Sequence, residues 1–425
     1  MGQGADAPNR LARKLGTFDA IVIGLGSMIG AGVFAVIAPA AQAAGTGLLL
    51  GLVIAAIVAY CNALSSAQLA ALYPESGGAY VYGRKRLSNL WAFLAGWGFV
   101  AGKLASCAAM ALTFASYAAP ALMRPLAVTA VLALTVVNYF GIRKTAVLTR
   151  VIVAVVLTTL GAVVVATLDA GELDPERLLP LTGTGPYGVL QAAGLWFFAF
   201  AGYARLATLG EEVVDPARVI PRAIPVALAI TLFVYGAVAV SALLALDVDA
   251  LARSPAPLVT VVEAGGLPGL TPMVRIGATV ASLGVLLSLI VGVSRTVFAM
   301  ASNGDLPRFF ASVHPRYRVP HHAELAVGIL VATTVAVVDL RSAIGFSAFT
   351  VLAYYAVTNA SALTLDRSER RWPRWIAVTG LAGCAVLAFA LPIMSVVVGS
   401  IVLAAGSMGF LVRERLTGSR ERRLR

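Results

Sequence analysis

Residues Gly24–Phe34 read Gly-Leu-Gly-Ser-Met-Ile-Gly-Ala-Gly-Val-Phe, and this stretch decides the fold. It lies inside an apolar segment, Phe18 to Ala40, long enough to cross a bilayer as a helix. Each glycine inside a helix costs roughly 1 kcal/mol relative to alanine, so a plain anchor gains nothing from such a cluster. Two uses remain. A helix that unwinds at mid-membrane would present bare amides and carbonyls to a ligand, and irregular backbone at that depth survives only where it lines a cavity. A close helix–helix contact is the other, since Gly26-x-x-x-Gly30 fits the small-xxx-small pattern. The rest of the chain has to separate them.

Of the 425 residues, 59% are hydrophobic and only 12% are charged, and mean hydropathy is +0.88. Soluble domains carry about 25% charged residues, so the composition is that of an integral membrane protein. The apolar stretches run from end to end, and the N-terminus has no cleavable signal pattern. Cys61, Cys107 and Cys384 fall in apolar segments at unrelated spacings, which argues for small core residues and against a disulfide framework or a metal site.

Polar and Pro/Gly-rich breaks cut the chain into twelve spans, about 18–40, 46–72, 89–118, 124–140, 146–168, 186–209, 222–246, 273–302, 323–338, 341–363, 374–392 and 394–412. The segments between them leave no room for a separate soluble domain. With a cytoplasmic N-terminus, most of the 32 Lys and Arg residues fall inside, among them Arg84-Lys85-Arg86, Arg143-Lys144, Arg370-Arg371 and the tail Arg420–Arg425. Outside remain Arg124, Arg177, Arg253, Arg275 and Arg341. Both termini are therefore expected in the cytoplasm, at the plasma membrane, and the net charge of +12 reads as a topology signal rather than a nucleic-acid surface. Lys103 and Arg205 fall inside spans with no deep acidic partner. Such charges usually face a cavity or a polar group, with snorkelling or end-capping as the plain alternative.

The sixth span is also irregular. Trp196–Arg205 runs bulky and aromatic, turns at Gly202, and leads into Glu211-Glu212 and Asp215-Pro216. Interrupted spans at matching places in two halves point to the binding site of a secondary transporter. Span one opens the first five and span six opens the next five.

Here the chain resembles a known family. Gly26–Phe34 looks like the first-helix signature of the amino acid–polyamine–organocation transporters, and Tyr73–Tyr80 looks like their loop after helix two. Phe197–Tyr203 with Glu211-Glu212 resembles their helix six. Ser294-Arg295, Ala299-Met300-Ala301, Gly304, Leu306-Pro307 and Val313–Arg316 resemble the end of helix eight and its loop. The resemblance implies an all-α membrane protein of 12 helices, a five-plus-five inverted repeat with helices 1 and 6 broken. That divides the chain into a tail at 1–17, repeats at 18–168 and 186–363, two extra helices over 374–412 and a basic cytoplasmic tail at 413–425. It implies transport of amino acids by alternating access. The expected substrate contacts are Ser27, Met28, Gly30, Ala31, Gly32, Phe198, Phe200, Ala201 and Gly202. Free amides at Ala31 and Gly32 would meet the carboxylate at a half-helix N-terminus, and carbonyls of Met28, Phe198 and Ala201 the ammonium group. Phe200 would be the aromatic lid.

Two departures shape the expected substrate and ion. Proton-coupled relatives resemble one another in a helix-five lysine, and that position falls near Val156 here; Lys103 is the expected replacement, and Lys103 and Arg205 are the candidate coupling or gating cations. Many relatives carry an acidic residue where this chain has Ala204 and Arg205, so a neutral amino acid, or else an acidic one, is expected over a cationic one. The expected partners are an amino acid, H+ and the lipid bilayer, with no nucleic acid, no cofactor and no metal, in a monomer or homodimer. An obligate exchanger or an amine or polyamine carrier is the alternative. A membrane enzyme or receptor fits poorly, since the deep titratable inventory is Lys103 and Arg205. His314, His321 and His322 lack metal-like spacing to a Cys or carboxylate, no phosphate loop occurs, and Glu211-Glu212 reads as gating or structural rather than catalytic.

Overall fold

The computed structural model describes residues 16–73, 77–141, 146–169, 174–180, 184–203, 206 and 213–423. Among them the architecture is helical. The glycine-rich first span is two helices, α1 (Thr17–Met28) and α2 (Gly32–Ala44), separated by Ile29–Ala31. They are followed by α3 (Leu48–Leu72), α4 (Ala79–Arg86), α5 (Asn89–Ala118), α6 (Met123–Tyr139) and α7 (Ala146–Asp169). The next group is α8 (Pro186–Phe200), α9 (Pro216–Ala245), the short α10 (Val248–Arg253) and α11 (Pro257–Ala264), α12 (Thr271–Ser302), α13 (His321–Val337) and α14 (Leu340–Leu363). The chain closes with α15 (Arg374–Ala390) and α16 (Ile393–Arg423).

Among the described residues, eight stretches are long and apolar enough to cross a membrane by length and composition, and 17–28, 321–337 and 374–390 form shorter apolar helices. Three elements differ from the sequence reading. The segment after span two winds into α4, capped by Gly78 at φ 56°, a left-handed conformation that glycine adopts without strain. Span seven starts earlier, at Pro216, because proline at a first helical position gives up no hydrogen bond. The last helix runs past 412 to Arg423, since Arg, Glu and Leu continue a helix readily in water.

Two groups of helices share the packing. α2 and α3 lie on α8, α3 also packs on α9, and α9 packs on α1. α5 is the buried hub of the other group, against α12 and α14, while α6 packs on α13. Tyr139 at the end of α6 meets His321 at the start of α13, and Arg124 at the start of α6 donates to the Ala336 carbonyl near the end of α13, so that pair is antiparallel. Helix ends carry the polar ties. Asp305, its side chain 4% exposed, accepts from Tyr80 (2.5 Å) and Arg84 (2.6 Å) through Oδ2 and from Arg413 (3.0 Å) through Oδ1. One carboxylate thus joins α4, the turn after α12 and α16. All five of the basic residues expected outside have bonds of their own: Arg341 donates to Gln42 and Gln191, Arg275 to the Tyr117 carbonyl, Arg124 to Ala336, Arg253 to the Asp249 carbonyl, and Arg177 pairs with Asp174.

Candidate substrate site at the two helix breaks

α1 ends because its backbone turns over Ile29–Ala31. The Ile29 amide still donates to the Leu25 carbonyl (2.7 Å), and regular bonding resumes where the Ala35 amide donates to Ala31 (3.2 Å). Between them, the amides of Gly30, Ala31 and Gly32 have no hydrogen bond among the described residues. All three residues are buried. The Ser27 hydroxyl is turned back onto its own helix, donating to the Ile23 carbonyl (2.8 Å).

α8 ends at Phe200, and Ala201–Tyr203 form a tighter turn. The two breaks touch. A Cβ on Gly202 would run into the Ser27 carbonyl, and one on Gly32 would stand 2.7 Å from the Ala199 Cβ and 2.9 Å from the Tyr235 hydroxyl. Gly30 faces Val285 of α12, and a Cβ on Gly24 would be 2.6 Å from Leu206. None of these glycines has a positive φ. They are required by close approach rather than by a left-handed backbone, so the two uses of the motif occur together: the helix breaks, and its glycines let neighbours in.

Tyr235 of α9, absent from the sequence reading, closes the junction. Its hydroxyl donates to the Met28 carbonyl (2.5 Å) and lies 3.3 Å from the Ala199 carbonyl, while its ring packs on Trp196 and Phe200. A tyrosine in an apolar span gives no local signal, and only the fold reveals what it joins. Phe200 is fully buried against it, and Phe198 is half-buried. Of the carbonyls expected to meet an ammonium group, Met28 already accepts from Tyr235 and Phe198 from the Ala201 amide. Each carbonyl oxygen has a second lone pair for another donor. The surroundings, Phe34 edge-on to Tyr117, Trp196, Val285 and Ala199, are aromatic or aliphatic.

Lys103 lies in α5, 9% exposed, its Nζ 5.9 Å from the Phe99 ring centre on the same helix, with no hydrogen-bond or ion-pair partner among the described residues. No recorded contact joins it to the breaks. Arg205 lies outside the described residues, as do Ala204 and Glu211-Glu212.

A family profile described as amino acid permease matches residues 15–410. The chain is 61% identical over 412 residues to an uncharacterised transporter of Mycobacterium tuberculosis, covering 97% of this chain and 94% of that protein. It is 27% identical over 406 residues to the branched-chain amino acid permease of Bacillus subtilis, covering 89% and 86%. A chloroplastic cationic amino acid transporter of Arabidopsis thaliana is 28% identical over 383 residues, covering 83% and 65%. With two irregular spans meeting across a glycine contact and a family match over nearly its whole length, this chain belongs to the amino acid permease family.

Proposed function

We propose that the protein is a secondary active transporter that moves neutral amino acids across the plasma membrane by alternating access, in symport with protons. The observation that carries this reading is the junction of the two breaks. Unbonded amides at Ala31 and Gly32 begin α2, where partial positive charge favours a carboxylate, and Met28 and Ala201 offer carbonyls close by. Phe200 serves as the aromatic lid, and Ser27, Gly30, Phe198 and Gly202 complete the wall. The apolar surroundings favour a neutral side chain, in keeping with the name of the Bacillus subtilis relative, a branched-chain amino acid permease.

The packing supports a twelve-span, five-plus-five repeat. Counting α1 with α2 as span one and α8 with its turn as span six, the second span packs on the seventh, the third on the eighth and the fourth on the ninth. The second also lies on the sixth as the seventh lies on the first. Helices five places apart meeting each other is what two inverted halves related by an in-plane axis produce. α15 and α16 are the two helices beyond it.

For coupling, Lys103 is the candidate replacement for the helix-five lysine, since Val156 is a buried aliphatic residue. Lys103→Met is expected to slow transport and change its pH dependence; normal rates with an unchanged pH profile would end that role. An obligate exchanger is the second reading, favoured by the same missing lysine.

The test of the function is uptake of a labelled amino-acid panel into proteoliposomes, under a proton gradient, under a sodium gradient, and with internal amino acid alone. Proton-driven accumulation of neutral amino acids is the expected result. Uptake only with internal substrate would make the protein an exchanger. Saturable arginine uptake that excludes alanine, leucine and glutamate would overturn the neutral substrate class.

A further inference from the structure

Away from the helix breaks, the antiparallel pair α6 and α13 buries a polar group of side chains that the transport site does not use. A Cβ on Gly328 of α13 would stand 2.5 Å from the Thr135 side chain of α6, which fixes the register of the pair. One turn from that contact, toward the end of α6 and the start of α13, come Asn138 and Glu324 at a common level. Asn138 is 2% exposed and Glu324 3%. Neither amide atom of Asn138 has a hydrogen-bond partner among the described residues, and neither do Oε2 of Glu324 and Nδ1 of His321, one turn earlier on α13.

A buried ionised carboxylate needs donors on both oxygens, and leaving one bare is costly. A neutral carboxyl tolerates that setting far better. Ionisation is nevertheless within reach, because the Asn138 amide at the same level has its N–H donors unspent and the charge of Arg295 on α12 acts on the carboxyl through space. The other titratable groups nearby are Tyr139, whose ring meets His314 and His321, and His322, stacked on Phe309. Arg143 and Lys144 follow α6 outside the described residues. The buried end of α13 thus holds a carboxyl with two accessible states, protonated and bare, or ionised with the Asn138 amide as its donor.

We propose that Glu324 is the proton-binding site of this permease, taking up one proton on Oε2 as a neutral carboxyl and releasing it as a carboxylate that the unspent Asn138 amide can meet. The proposal rests on the transport reading and deepens it by naming the group that carries the coupled ion. Lys103 then supplies standing positive charge, and Glu324 exchanges the proton.

Glu324→Gln fixes the neutral state. In proteoliposomes the variant is expected to lose accumulation driven by a proton gradient, falling to simple equilibration, while counterflow exchange of the same amino acid persists because it moves no net proton. Proton-driven accumulation at the wild-type level in Glu324→Gln would overturn the proposal. So would a wild type that exchanges substrate but never accumulates it with protons. A wild type that performs neither would instead overturn the transport reading, which keeps the two failures apart. If Glu324→Gln loses exchange as well, Glu324→Asp decides, since it keeps a titratable group: recovered accumulation with a displaced pH profile supports the site, and no recovery overturns it.

Discussion

Gly202 makes the sharpest case for how a single atom governs the site. A methyl at this position meets the Ser27 carbonyl, which is backbone and cannot swing aside, so either the turn at 201–203 or the end of α1 must move. Displacing packed backbone costs about 1–3 kcal/mol. Gly202→Ala is therefore expected to reach the membrane in normal amounts and to lower initial uptake by roughly tenfold or more, since about 1.4 kcal/mol is a factor of ten. Unchanged uptake would mean the junction is not where substrate sits. The cluster Gly24–Gly32 and Gly202 were legible in the sequence because glycine inside an apolar span is conspicuous. Tyr235 and Glu324 were not. A tyrosine among aliphatic residues looks like filler, and a carboxylate in the first turn of a helix looks like an ordinary N-terminal charge.

At the scale of elements, α4 is the piece that the sequence hid, since a segment rich in Gly, Tyr, Arg and Lys has no apolar stripe to mark it as a helix. Its tertiary ties hold it. Arg86 pairs with Glu369, and Tyr80 and Arg84 grip Asp305. Asp305→Ala removes a buried carboxylate, but the two arginines it leaves are 34% and 40% exposed and can be solvated. The loss is thus expected near roughly 1–3 kcal/mol, below that of breaking a fully buried pair, and is read as a lower melting temperature in detergent. The Arg86–Glu369 tie has a pH signature. Hydrogen bonding from Arg86 holds the Glu369 carboxyl below its usual range. The tie is complete above the unfolded carboxylate value of about 4.3 and fades as pH falls through the lower folded value. Glu369→Gln should therefore melt below wild type at neutral pH in low salt, with the difference closing in acid and in high salt. A constant difference down to pH 3 would show that the pair contributes through something other than charge.

For the whole molecule, the disposition of Lys and Arg predicts which segments share a face of the membrane. The three native cysteines are buried, so single cysteines introduced on the surface are the groups a membrane-impermeant thiol reagent should find. Cysteines at Arg177 and at Arg316 are expected to react from opposite sides of sealed vesicles, and one at Glu414 from the same side as Arg316. Labelling of all three from one side would overturn the orientation. The multi-pass helical character was readable because bilayer thickness sets span length. The two-group packing was not, since it depends on which helix faces meet, and uniformly apolar helices do not display that in sequence. The last helix carries a mechanical consequence. At 1.5 Å per residue α16 is roughly 46 Å long, well beyond the roughly 30 Å hydrocarbon thickness of a bilayer. Arg413 grips Asp305 partway along, leaving a rigid arm of roughly 15 Å past that pivot. The arm works as a lever: a small tilt of the helix about the Asp305 fulcrum becomes a larger sweep at Arg423. A spin or fluorescent label at the tip would register any rocking of the bundle too slight to follow at the glycine junction itself.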